Sequence, residues 1–129
     1  MSVYIDTLSD EVQSAIDNLR EEKGEFSLAM LYNDGLATTG WNVIVAARWA
    51  DRLGRAEAVR IVIQALSGRL GEGNKQAISR ITVLPTNDPF VEAITSVYQV
   101  NSPGARQWVQ NIVVAGIPIG LANILYSHR

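Results

Sequence analysis

The stretch "QWVQNIVVAGIPIGLANILYS", residues 107–127, decides the fold, because it carries no formal charge and is long enough to raise the question of a membrane anchor. Its polar and helix-breaking residues argue for another reading. Gln110, Asn111 and Asn123 are costly in lipid, Pro118 would break a helix, and Gly116 and Gly120 punctuate the run as they would a pair of strands. The expectation is two strands, 109–115 and 121–127, joined near "GIPIG", with a buried helix as the alternative and no membrane partner.

Immediately upstream, "VLPTNDPFVEAI" (83–94) runs a short β-branched segment into a helix start: Asp88 is placed to cap and Pro89 to occupy the first helical position. Before it, "GRAEAVRIVIQALSGRLG" (54–71) has the i, i+3, i+4, i+7 spacing of a helix through Val59, Val62, Ile63, Leu66 and Leu70, with Gly71 as its stop. "EFSLAMLYND" (25–34) and "WNVIVAAR" (41–48) alternate as strands. Phe26, Leu28, Met30 and Tyr32 share one side of the first, and Trp41, Val43, Val45 and Ala47 one side of the second. Asn33, Asp34 and Gly35 supply the turn that makes the two an antiparallel pair. From Thr7 to about Lys23, Leu8, Val12, Ala15, Ile16 and Leu19 form the apolar stripe of a first helix, capped by Thr7 and ended by Gly24.

The order α-β-β-α-β-α-β-β predicts an α+β two-layer sandwich: about five strands in a mixed or antiparallel sheet, with helices mainly on one face. A chain of 129 residues, 47% hydrophobic and 19% charged, fits a single domain spanning 1–129 with one folded core. Acidic residues crowd the first quarter and arginines the middle, yet the net charge is only -2, so the two segments are expected to face each other within the chain or across a dimer. The absence of cysteine excludes disulfides, zinc-thiolate sites, iron–sulfur clusters and thiol nucleophiles. "MSVYIDTLSDEV" at the start does not read as a secretory signal, and a cytoplasmic location is the expectation.

No catalytic constellation is legible, and neither a metal nor a cofactor is expected. "GRLGEGNK" (68–75) is glycine-rich but follows a helix and lacks the ending of a P-loop, and no G-x-G-x-x-G, H-E-x-x-H or G-x-S-x-G occurs. His128, the single histidine, lies at the tail, where chains fray. Carboxylates at loop or helix-start positions make Asp34, Asp51 and Asp88, together with Arg48, a candidate ligand-binding set, although turn and capping roles explain such aspartates equally well. In "ARWADRLGRAEAVR" (47–60), a continuous helix would align Arg48, Arg52 and Arg55 beside Trp49, a grip for phosphate or nucleic acid. An acidic protein with isolated arginines does not favour nucleic acid, and the simpler reading is arginine stems covering apolar surface.

Trp49, Trp108, Ile117, Ile119 and Leu121 are the candidate interface residues, since tryptophan and uncharged strand residues suit a protein contact. The preferred function is therefore a non-enzymatic, self-associating interaction module, with a dimer formed through the C-terminal strands. A small-molecule enzyme or ligand-binding domain is the first alternative and nucleic-acid binding the second.

Overall fold

A computed structural model describes residues 2–33, 40–101 and 105–128, with backbone alone for 2–6. Among the described residues ten elements follow one another: α1 (Ser2–Lys23), β1 (Leu28–Asn33), β2 (Trp41–Ala46), α2 (Arg48–Asp51), α3 (Arg55–Ser67), α4 (Glu72–Ala77), β3 (Ile78–Val83), α5 (Pro89–Val97), β4 (Gln107–Val114) and β5 (Ile117–Ser127). The strands lie in the order β3-β2-β1-β5-β4. Only the β2–β3 pair is parallel, so the sheet is mixed, and the α+β sandwich with its predicted order of main elements is what the chain forms. The short helices α2 and α4 are additions to that order.

Alternation along the strands divides the core in two. Ala29, Leu31, Val43, Val45, Val83 and Leu125 meet the stripe of α1 (Leu8, Val12, Ala15, Ile16, Leu19) and the inner face of α3 (Ala58, Val62, Leu66). Leu28, Met30, Ile44, Ala46, Ala122 and Ile124 meet Phe90, Val91 and Ile94 of α5 on the other face. Both faces of the central strands are thus covered, which is why β1 and β2 read as nearly continuous apolar runs. The acidic first helix and the arginine-containing third do face each other through apolar side chains, and among the described residues no ion pair within contact distance joins them.

Four local expectations are corrected. Phe26 precedes β1 and joins the α1 side, so it does not share a side with Leu28 and Met30. Ile63 is exposed because the buried stripe of α3 is rotated toward Ala58, whose small side chain permits close approach. That helix ends at Gly68, while Gly71 instead precedes α4. Thr7 lies inside α1, which begins at Ser2 and therefore cannot be capped by it. Gly24 does end α1, at φ +129°, a backbone state that other residues rarely adopt.

The uncharged C-terminal stretch is a hairpin. Its turn is Ala115-Gly116, both at positive φ (49° and 83°) as a type I′ turn requires, so "IPIG" belongs to β5. The described part of β1 reaches only to Leu121 on β5, leaving Pro118 beyond that pairing, where a residue without an N–H is tolerated. Asn111 (φ 55°) marks a half-step: the residues facing α5 run Val109 then Ile112 and Val114 on β4, and Ile117, Ile119 then Ala122 and Ile124 on β5. Both strands shift together, so their register is unbroken.

Two caps hold the connections. Asp88 accepts from the Phe90 N–H at 2.8 Å, with Pro89 in the first turn, as the sequence indicates. Asp88→Ala is expected to cost about 1 kcal/mol, read as a lower urea midpoint with an unchanged slope. Gly71 has no side chain to cap α4, and Glu11 of α1 does so instead, accepting from Gly71 N–H (2.9 Å) and Asn74 Nδ2 (3.0 Å). The Asn74 amide and then the Gly71 N–H hold the Glu11 carboxyl below its ordinary range.

Candidate functional site

The chemistry-bearing residues gather at one end of the sheet. There β2 and β3 end side by side, and antiparallel pairing sets Leu28 opposite both Ala46 and Ser127. The chain leaving β2 goes to the α1 face through α2 and α3, whereas the chain leaving β3 goes to the opposite face as α5. Adjacent parallel strands whose connections part to opposite faces leave a crevice at their carboxyl ends, a common place for ligands.

Three open clefts occupy this end. The first, about 410 Å³, runs between α2–α3 and the 84–87 loop and holds Asp51, Arg55, Thr86 and Asn87. Asp51 accepts from Thr86 twice, from the N–H at 3.2 Å and from Oγ1 at 2.6 Å, so it braces the two connections. The second, about 340 Å³, is formed by Lys23, Gly24, Phe26, Arg48, Trp49, Arg52 and neighbours. The third, about 160 Å³, shares Ser27, Arg48 and His128 with the second and Thr86 with the first. Ser27, Arg48, Thr86 and His128 are thus the residues common to adjoining clefts.

The proposed ligand-binding set is not brought together. Arg48 lies in the second and third clefts, Asp51 in the first, Asp88 spends its carboxylate on the Phe90 N–H, and Asp34 lies outside the described residues. Among the described residues no three His, Asp or Glu side chains converge on a point that could hold a metal ion. The arginine triad is divided as well. Helix α2 stops at Asp51 and α3 starts anew after Gly54, so Arg48 and Arg52 share one cleft while Arg55 turns into another. The same break takes Asp51 to Thr86 in place of the Arg55 partner that a continuous helix would supply.

Trp49 packs edge to face on Phe26, with centroids 5.7 Å apart and planes at 87°. Its Nε1 is buried with no acceptor among the described residues. His128, expected to be a frayed tail residue, is tied down: its N–H donates to the Ser27 carbonyl at 2.9 Å, and its side chain borders two clefts. Lys23 and His128 were missed as site residues because long-range pairing carries them there, β1 with β2 for Lys23 and β1 with β5 for His128. Nothing local signals it.

The interface candidates are dispersed. Ile119 is 1% exposed and belongs to the core under α5, Ile117 and Leu121 are half-buried, and Trp108 is 43% exposed on β4. Strand β5 has neighbours on either side over most of its length, so among the described residues the free edge of the C-terminal hairpin is β4. No described helix is long and apolar enough to cross a membrane. Set against known proteins, the chain matches no family model, no curated protein and no solved structure.

Proposed function

We propose that the chain is a self-associating interaction module of the cytoplasm, without catalytic chemistry of its own, in which two copies pair antiparallel through β4. The observation that carries this reading is the edge itself. Strand β4 is eight residues long, carries no charge and has no proline, so apart from the half-step at Asn111 it lacks the devices by which edge strands ordinarily repel a second chain. The opposite edge differs, being shorter, parallel to its neighbour and guarded by Arg80.

Antiparallel pairing of one strand with its own copy is self-complementary about a two-fold axis. An uncharged strand meets that copy without like-charge repulsion. Trp108 and Val113, 43% and 71% exposed, lie on the β4 face turned away from Val109, Ile112 and Val114, and each would gain cover from a second copy.

Light scattering at tens of micromolar is expected to give twice the chain mass of 14.1 kDa. Val113→Lys, at a side chain already open to water, is expected to give a folded monomer whose unfolding midpoint, unlike that of the parent, does not depend on protein concentration. A monomeric parent protein, or a Val113→Lys variant that stays dimeric, would exclude pairing through this edge.

A further inference from the structure

We infer that the 340 Å³ cleft between the end of α1 and α2 binds a small phosphorylated molecule, with Arg48 and Arg52 holding the phosphate and the Trp49 indole N–H donating to it. This inference is independent of self-association, because the cleft lies at the strand ends and not along β4.

Charge is the first argument. Lys23, Arg48 and Arg52 border the cleft with His128, and the carboxylate among its lining residues, Glu25, is already engaged by Arg20 at 3.0 Å. Arg48 and Arg52 have no ion-pair or hydrogen-bond partner among the described residues, although the chain as a whole is acidic. Glu92 shares the adjoining small cleft with Arg48 but forms no ion pair with it. An excess of fixed cations of this size matches a phosphate monoester, with its charge of about −1.5 to −2, better than a single carboxylate. Two guanidinium forks suit its oxygens.

The second argument is the orphaned donor. An indole N–H without an acceptor costs free energy when buried, and such groups ordinarily find partners. Trp49 lines the cleft, and its Cδ1, the ring atom next to Nε1, lies 3.6 Å from where a Cβ on Gly24 would stand. Nε1 is closed to solvent as the ring stands, so an anion seated among Lys23, Arg48 and Arg52 would supply the missing acceptor once the indole edge turns toward the cleft.

Size is the third argument. The volume is at the lower end of small-ligand sites, roughly 300–1,000 Å³, so it admits a phosphate with a compact organic body. It does not suit a polymer, which needs a continuous positive track. Arg55 faces a different cleft and Arg60 is paired with Glu57, so no such track forms.

The test is calorimetric titration at low ionic strength with phenyl phosphate, inorganic phosphate and benzoate, together with the ¹H–¹⁵N indole signals. Phenyl phosphate is expected to saturate one site per chain, and benzoate to bind far more weakly. Arg48→Gln and Arg52→Gln should each weaken phenyl phosphate about tenfold or more without moving the unfolding midpoint of the free protein, while Arg80→Gln on the sheet edge should leave binding intact. The Trp49 indole signal, assigned by its loss in Trp49→Phe, should move downfield. The inference is overturned by absent saturation, by unchanged binding in both arginine variants, by equal binding of benzoate, or by a Trp49 signal that stays in place at saturation. Preference for a 5′-phosphorylated oligonucleotide over phenyl phosphate would also overturn it, by pointing to a polymer.

Discussion

Phe90→Ala is expected to lower the unfolding free energy by about 3–5 kcal/mol, the largest loss of any single change considered for this chain. Phe90 is buried where α5 begins, in the cluster that also holds Met30, Ile44 and Ile124. Among the described helices, α5 alone supplies residues to that cluster. Truncating its first anchor therefore leaves a cavity and loosens the cover of the sheet at once. Urea unfolding provides the measurement. A loss below about 1 kcal/mol would show that α5 is held by Val91 and Ile94 instead, because even partial collapse of a Phe-sized cavity leaves more than that.

Tyr126 is expected to invert its contribution with pH. Its hydroxyl donates to Asp17 Oδ1 at 2.6 Å, its ring is buried at 3% exposure, and the Arg20 guanidinium lies 5.3 Å above it. Burial, and then the Asp17 carboxylate, push its pKa up to about 12. Near neutrality Tyr126→Phe should cost about 1 kcal/mol, the net value of one hydrogen bond. Folding favours the protonated phenol, so the unfolded chain releases its proton first. Stability from this group is complete below pH 10 and falls as pH rises toward 12. By pH 11.5 the parent should have lost about 2 kcal/mol relative to the phenylalanine variant, making the variant the more stable of the two. Paired denaturation curves at neutral pH and at pH 11.5 would reveal the crossing; a constant difference would show that the phenol is not held in this way.

Much of this architecture could be read from residue order because the signals were local. The stripe from Leu8 to Leu19, the alternation from Trp41 to Ala47 and the Asp88-Pro89 start each depend on a few neighbouring side chains. Where the reading slipped, a distant contact decided. Phe26 turns aside because Trp49 awaits it, and the buried stripe of α3 follows Ala58 because α1 lies against it. Gly71 begins a helix because Glu11, sixty residues away, caps it. At the strand ends the sequence pointed to Arg48, Arg52 and Trp49 but took a continuous helix as their frame. The break at Gly54 removed Arg55 from that group, while the pairing of β1 with β2 added Lys23 and that of β1 with β5 added His128.

Gly40 bears on how freely the sheet can vary. A Cβ there would stand 1.8 Å from the Ser79 hydroxyl oxygen and 3.3 Å from the Ala77 carbonyl oxygen, so the backbone entering β2 already touches the segment that opens β3. A methyl group at position 40 therefore requires the Ser79 hydroxyl to swing away and the neighbouring backbone to give slightly, so a substitution at one strand start is felt at the other.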